Sequence, residues 1–177
     1  MINFSLIPFK PVANYKINGQ IARTFNQLWL TIEIEGDLDQ IFLPPTKGAP
    51  RREEKLWETT CFELFMGEEG NPHYFEFNIS PAGDWNVFEF TQYRKGPEPV
   101  KDIFSPSIDR QIVNPHHIKY AIGIPLFNEV KFLKKIGISA VIKTLSGQLQ
   151  YFALTHPREV ADFHDPRSFT LDLPHQP

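Results

Sequence analysis

The chain contains 177 residues, a length that favours one domain, spanning 1–177, with enough residues to bury a sizeable core. Hydrophobic residues make up 41% and charged residues 22% of the chain, which excludes an intrinsically disordered protein. The formal net charge of −3 offers no basic surface for nucleic acid, and no apolar run approaches the roughly 18 residues that span a bilayer. The sequence therefore predicts a globular protein without a nucleic-acid or membrane partner.

The N-terminal third predicts two strands. Residues 1–26 form a lead-in segment with one short strand at 4–8, whose length is limited by prolines. Residues 27–35 alternate with period two, which predicts a strand with its even-numbered side chains inward: Leu28, Leu30, Ile32 and Ile34. Residues 44–56 are rich in proline and charge, and they predict a loop long enough to serve a site.

The remainder of the chain predicts a series of short strands separated by turns. The predicted strands are 61–66, 73–80, 85–93, 108–113 at a sheet edge, 118–124, 136–143 and 149–155. One helical turn is expected within 125–135, and Ser146 and Gly147 predict a hairpin turn. Turn signals every ~8–12 residues are typical of a sandwich or barrel. The fold class is therefore predicted as all-β, an antiparallel β-sandwich of about 8–10 strands with little helix.

The cysteine content and the N-terminus bear on location. Cys61 is the only cysteine, so no intrachain disulfide can form, as is typical of a reducing compartment. The first residues lack a basic start followed by a long apolar run, and so do not predict a signal peptide. We expect a cytoplasmic protein. A single cysteine in a strand with no histidine in its local sequence is more typical of buried core than of a nucleophile.

Residues 73–80, HYFEFNIS, contain an unusual row of polar side chains. His73 and the apolar residues at 75, 77 and 79 point to one side, and Tyr74, Glu76, Asn78 and Ser80 point to the other. The first set can anchor a core. The second combines an aromatic ring, a carboxylate, an amide and a hydroxyl, and we expect it to lie on a wet, concave surface that binds a polar ligand.

Neighbouring strands extend this row. If they pair as adjacent hairpins, Glu63 and Trp85 gather with Glu76 and Asn78, while Trp57 lies at a strand end where loops meet. Sugars require this mixture, because their hydroxyls bind planar polar groups and their C–H faces stack on aromatic rings. The alternative is that both tryptophans are core residues and that Glu76 pairs with a cation across the strand.

Three segments carry a resemblance to a known group: LWETTCFELF at 56–65, YFEFNISPAGDWNVFEFTQYR at 74–94 and THPREVADFHDPRSF at 155–169. They resemble the DOMON-like superfamily, above all its branch similar to family-nine carbohydrate-binding modules. The resemblance implies an antiparallel β-sandwich with a ligand site on one sheet, and characterised relatives bind sugars, haem or similar small molecules. In the sugar-binding modules two tryptophans clamp the sugar beside polar residues. Counterparts in kind are Trp57, Glu63, Glu76, Asn78, Trp85 and Arg94.

The sequence therefore predicts a non-catalytic binding domain for a small polar ligand, above all a carbohydrate. Trp57, Tyr74 and Trp85 are expected to stack on the ligand. Its polar groups are expected to form hydrogen bonds with Glu63, Glu76, Asn78 and Arg94. Lys143 and Tyr151 are secondary candidates for the same role. The expected partner is a sugar or other small molecule, and the chain is expected to be a monomer or a weak homo-oligomer. The alternatives are a haem- or metal-binding DOMON-type domain and a protein-interaction module.

No cofactor is predicted. Haem-binding relatives use a methionine and a histidine, but Met66 shares its strand side with Phe62 and Leu64, as a core residue would. Two groups contain candidate metal ligands: His116 with His117, and His156, Asp162, His164 and Asp165 in the tail. The competing interpretation is that Asp162 and His164 hold the tail on the sandwich. A calcium ion that braces a loop is a further alternative, since related modules can carry one.

A hydrolase is the remaining alternative. Glu63 and Glu76 could form an acid and base pair ~5–9 Å apart. The sequence contains no Gly-x-Ser-x-Gly motif and no glycine-rich phosphate loop. Carboxylates on a sheet face also serve binding, so we predict no catalysis.

Overall fold

The computed structural model describes residues 1–11, 14–46 and 48–173; the other residues, which belong to the predicted lead-in segment, the 44–56 loop and the tail, lie outside it. Within the described residues no helix is both long and apolar enough to cross a membrane. Three single turns of 3-10 helix lie at Leu38–Gln40, Leu56–Glu58 and Pro166–Ser168. The described strands are β1 Ile2–Pro8, β2 Tyr15–Arg23, β3 Gln27–Gly36, β4 Cys61–Gly67, β5 Tyr74–Ile79, β6 Trp85–Phe90, β7 Glu98–Pro99, β8 Ser107–Asn114, β9 His117–Pro125, β10 Lys135–Lys143, β11 Leu149–Ala153 and β12 Leu171–Asp172.

These strands form two antiparallel layers. Sheet A has the order β8-β9-β3-β2-β1, and sheet B has the order β7-β6-β5-β4-β10-β11, with β12 also paired to β10. Strand β1 joins the layers, because residues 2–6 pair with β2 while Ile7 and Pro8 pair with β11. The predicted all-β antiparallel sandwich is confirmed, and ten of the described strands have five or more residues.

The core lies between the two sheets and follows the predicted alternation. On β3 the even-numbered residues are buried, whereas Trp29 points outward and is 49% exposed. On sheet B the inward set comes from the even positions of β4 and β10 and the odd positions of β5. Its largest members are Phe62, Phe75 and Phe77. Because each sheet seals one face in this core, the other face of sheet B is free to build a site.

Strand β2 is missing from the sequence prediction, which placed a lead-in segment across 1–26. The strand alternates as a half-buried strand should, with Tyr15, Ile17 and Ile21 buried. Its middle residues, Asn18, Gly19 and Gln20, have low strand propensity and conceal the alternation. Gly19 is required there, because a Cβ at this position would lie 2.1 Å from the Thr31 carbonyl oxygen and 2.5 Å from the Phe4 ring.

Replacing Gly19 with alanine is expected to destabilise the protein by about 1–3 kcal/mol, since the methyl group must displace the β3 backbone. Urea unfolding monitored by tryptophan fluorescence measures the change. Gln20→Ala is the matched control, because that side chain is exposed, and its effect should stay within about 0.5 kcal/mol. If the Gly19→Ala variant were as stable as the native protein, β2 and β3 would not approach each other this closely at position 19.

Candidate functional site

A cavity of about 890 Å³ lies over the outer face of sheet B. Its size matches that of small-molecule sites in proteins. Strands β4, β5, β6, β10 and β11 contribute side chains to it, and the 3-10 turn at Leu56–Glu58, the hairpin after β6 and the tail enclose it. Its polar lining includes Glu58, Glu63, Glu76, Arg94, Gln150 and His164. Its apolar lining includes Phe9, Trp57, Phe90, Val141, Tyr151 and Phe163.

Two buried carboxyl groups lie on the sheet at the base of the cavity. Glu63 on β4 accepts a hydrogen bond from the Ser139 hydroxyl at 3.0 Å, and Glu76 on β5 accepts one from the Asn78 amide at 3.0 Å. The two residues are only 4% and 5% exposed. Burial, followed by the charge of Glu76, raises the pKa of Glu63, and burial raises the pKa of Glu76 against the opposing effects of Asn78 and Arg94.

Raised pKa values change what these groups offer to a ligand. A protonated carboxyl group donates one hydrogen bond and still accepts others, whereas a carboxylate only accepts. A hydroxyl group also donates and accepts. The pair at the base of the cavity is therefore suited to a neutral, hydroxyl-bearing ligand.

Arg94 lies in the hairpin that follows β6. Its φ of +53° is in the left-handed region that few non-glycine residues adopt, and its backbone N–H donates to the Tyr74 hydroxyl at 3.1 Å. Its guanidinium donates to Asp162 of the tail at 3.0 Å, and the Tyr93 hydroxyl donates to the same carboxylate at 2.6 Å. The arginine is therefore held at the cavity by contacts with both the sheet and the tail.

His164 closes the same network from the tail side. Its Nδ1 lies 2.8 Å from the Tyr74 hydroxyl, and its ring packs edge-on against Phe65 and Phe90. Burial, and then the charge of Arg94, lowers the pKa of His164 to about 4, so the ring is neutral at pH 7. The Tyr74 hydroxyl accepts from the backbone N–H of Arg94 and shares a second hydrogen bond with Nδ1; when Tyr74 donates in this bond, Nε2 of His164 carries the ring proton.

A gap separates the neutral ring of His164 from the carboxyl group of Glu76. His164 Nε2 and Glu76 Oε2 are 3.9 Å apart, too far for a hydrogen bond. Burial disfavours the charged form of each group, so the contact is not an ion pair at neutral pH. A hydroxyl oxygen about 2.8 Å from both atoms would satisfy both with ordinary geometry. The cavity thus presents paired polar atoms that a ligand oxygen can bridge.

Aromatic side chains form much of the cavity wall. Trp57 is 40% exposed and packs edge-on against Phe88, with ring centroids 6.1 Å apart. Tyr151 on β11 packs edge-on against Phe163 of the tail at 6.0 Å. Rings that are fixed by such contacts and still reach solvent can stack on a ligand at little entropic expense.

The structure brings together most of the residues that the sequence analysis selected. Those that line the cavity are Trp57, Glu63, Glu76, Arg94 and Tyr151. Tyr74 and Asn78 lie behind it, where Tyr74 holds His164 and Asn78 holds Glu76. Lys143 lies to one side, with its ammonium group 3.5 Å from the Glu58 carbonyl oxygen.

Trp85 lies on the opposite face of sheet B. The hairpin of β5 and β6 pairs it directly with Ile79, and residues that pair directly point to the same side of a sheet. Trp85 is 5% exposed within the core, with the Arg52 guanidinium 4.6 Å from its ring centroid. The expectation that it gathers with Glu76 and Asn78 is therefore wrong, because the even-numbered residues of β6 form the outer face.

Glu76 and Asn78 are also less exposed than expected. The even-numbered residues of β5 do share one face, but Asn78 on that face is fully buried and donates a hydrogen bond to Glu76. Phe163 and His164 are not among the ligand-binding residues predicted from the sequence. Their segment, ADFHD, mixes aromatic and charged residues in a non-periodic tail, and this mixture is the signal that could have identified a covering segment.

Several residues weighed for other chemistry have structural roles. Met66 is buried in the core, and Cys61 is buried on β4, where burial raises the pKa of its thiol. The interpretation that Asp162 and His164 hold the tail on the sandwich is confirmed by their bonds to Arg94 and Tyr74. Asp165 caps the last 3-10 turn and pairs with Arg158 and Arg167, whose hydrogen bonds keep the pKa of this carboxyl well below its usual range.

No protein-family model matches this sequence, and a search of curated proteins finds none similar to it. Solved structures do share its fold. A candidate carbohydrate-binding protein from Bacteroides uniformis is 13% identical, with a TM-score of 0.66 over 94% of this chain and 83% of that chain. A family 9 carbohydrate-binding module from Caldicellulosiruptor kristjanssonii is 10% identical in both its glucose and its cellotriose complexes. The TM-scores are 0.53 and 0.56, over 94% and 95% of this chain and 80% of that chain. This chain therefore has the β-sandwich fold seen in those carbohydrate-binding modules.

Proposed function

We propose that this protein binds a small saccharide in the cavity over sheet B and performs no chemistry on it. The observation that carries the proposal is the combination of a polar base, formed by Glu63 and Glu76, with an exposed aromatic wall that includes Trp57. The base matches sugar hydroxyls, and the wall matches the C–H faces of a pyranose ring. The glucose and cellotriose complexes of a protein with this fold support the same class of ligand.

Within this proposal each lining residue has a defined role. Trp57 and Tyr151 stack on the sugar, while Arg94 and the two carboxyl groups bind its hydroxyls. Asn78 and Tyr74 act through Glu76 and His164, which they hold in place. We also propose that the chain is a DOMON-like domain, on the strength of the three sequence segments that carry that resemblance.

Replacing Trp57 with alanine is expected to weaken saccharide binding at least about tenfold, because it removes a stacking surface while leaving the polar base intact. A glycan array that includes glucose and cello-oligosaccharides identifies the ligand, and isothermal titration then measures its affinity. Trp29→Ala is the matched control, since that indole is also exposed but lies on the outer face of sheet A.

Two results would contradict the proposal. The first is an unchanged affinity in Trp57→Ala, which would place the ligand elsewhere. The second is steady turnover of aryl glycosides by the native protein, lost on replacing either buried glutamate, which would make the carboxyl pair catalytic. If no saccharide on the array bound but another protein did, the result would favour an interaction module instead.

A further inference from the structure

A second group of chemically suitable side chains lies on the outer face of sheet A, away from the cavity. Glu33 and Glu35 are two positions apart on β3 and therefore point to the same side. His117 on β9 pairs directly with Glu35 in the sheet register. The histidine belongs to the His116 and His117 pair noted in the sequence, and the fold supplies the two carboxylates from more than 80 residues away.

The distances among these groups are close to those of metal ligands. Nε2 of His117 lies 2.8 Å from Oε2 of Glu33 and 3.9 Å from Oε1 of Glu35. One ligand atom from each of the three residues lies within 4.8 Å of the others. A tetrahedral zinc ion with bonds of about 2.1 Å holds its ligand atoms about 3.4 Å apart. Small side-chain rotations would therefore reach the required geometry.

The surroundings prepare Glu33 for this role. Its oxygen Oε1 lies 3.2 Å from the Lys119 ammonium group, and Oε2 is the oxygen that faces His117 Nε2. The lysine also fixes the orientation of the carboxylate, as outer partners of metal ligands commonly do.

We propose that Glu33, Glu35 and His117 bind a divalent transition-metal ion, with zinc as the preferred ion. An imidazole combined with carboxylates suits zinc and its neighbours, whereas calcium and magnesium favour all-oxygen sites. Three protein ligands leave a fourth position for water at the surface. The ion would join β3 to β9, and it would therefore stabilise the folded chain over the unfolded one. This site is independent of saccharide binding.

The test is titration of the tag-free protein with zinc chloride in competition with a chromogenic chelator. We expect one zinc ion per chain at micromolar affinity or tighter, and an unfolding temperature that rises with zinc. His117→Ala and Glu35→Gln should each weaken binding at least about tenfold. His116→Ala is the matched control and should bind as the native protein does, because its ring faces the Gly36 carbonyl. Excess calcium should not displace the zinc.

The proposal is overturned if the native protein fails to bind zinc at millimolar concentration, or if His117→Ala binds it unchanged. It is also overturned if His73→Ala, which breaks the pair of His73 with Glu89, removes the binding instead. Glu35→Gln keeps the test informative if the histidine variant fails to fold, because the Glu35 side chain is half exposed and its loss leaves Glu33 paired with Lys119.

Discussion

Replacing Glu63 with glutamine is expected to stabilise the protein at alkaline pH. Burial, and then the charge of Glu76, raises the pKa of Glu63 from 4.5 to about 8. Because the folded protein binds this proton more tightly than the unfolded chain does, the linked stabilisation is complete below pH 4.5 and is lost as the pH rises through the folded-state pKa. Each pKa unit corresponds to about 1.4 kcal/mol, so glutamine should gain at least that amount at pH 9.

Urea unfolding at pH 6 and at pH 9 measures this effect. The native protein should lose stability between the two values, and Glu63→Gln should lose less, while its amide oxygen can still accept from Ser139. Glu98→Gln is the matched control, because that carboxylate is exposed on the edge strand β7 and its replacement should leave the pH dependence as in the native protein. Equal pH dependence in the native and Glu63→Gln proteins would show that Glu63 ionises as freely as a surface carboxylate.

Replacing Glu76 with alanine is expected to reduce saccharide affinity by about tenfold to a hundredfold, the loss of one or two hydrogen bonds in a water-poor site. The folded state should be retained, because alanine removes a group that burial disfavours when charged. Isothermal titration measures the affinity, and circular dichroism confirms the fold.

Glu89→Ala serves as the control for this change. Glu89 belongs to the same sheet, but it pairs with His73 away from the cavity, so its removal should leave the affinity unchanged. If both alanine variants bound the saccharide equally well, Glu76 would have no part in recognition. If both lost binding, a general disturbance of sheet B would explain the result.

Burial of the two glutamates is expected to lower the stability of the folded protein. Apolar side chains at positions 63 and 76 would pack on the outer face of sheet B without the penalty of burying ionisable groups. Ser139 and Asn78 offset only part of that penalty. The burial of two ionisable groups beside one cavity supports the proposed ligand site.

The sequence was sufficient for the features that depend on alternation along a single strand. The inward set of β3 and the two faces of β5 follow from period two, and they hold because each strand buries one face. The core position of Met66 follows in the same way, whereas Cys61 is buried on the other side of β4, beside Asn78. Strand β2 was missed, because the residues around Gly19 favour a turn over a strand when read alone.

The features that depend on pairing between distant segments could not be read from the sequence. Trp85 was assigned to the wrong face because that face depends on the register of the hairpin, which the residues at 80–84 determine. The tail reaches Arg94 through Asp162 and Tyr74 through His164, from about 70 to 90 positions away in the chain. Phe88 and Phe90 on β6 belong to the apolar cluster on the outer face of sheet B, with Tyr74, and not to the central core.

The proposed saccharide site over sheet B is tested most directly by nuclear magnetic resonance of the labelled protein during titration with glucose and cellotriose. If a saccharide binds in the cavity, the largest amide shift changes are expected around Glu63, Glu76 and Arg94 and in the tail near His164, on the face of sheet B that the tail covers. Changes confined to sheet A, or none with any saccharide that the glycan array identifies, would contradict a sugar site in this cavity.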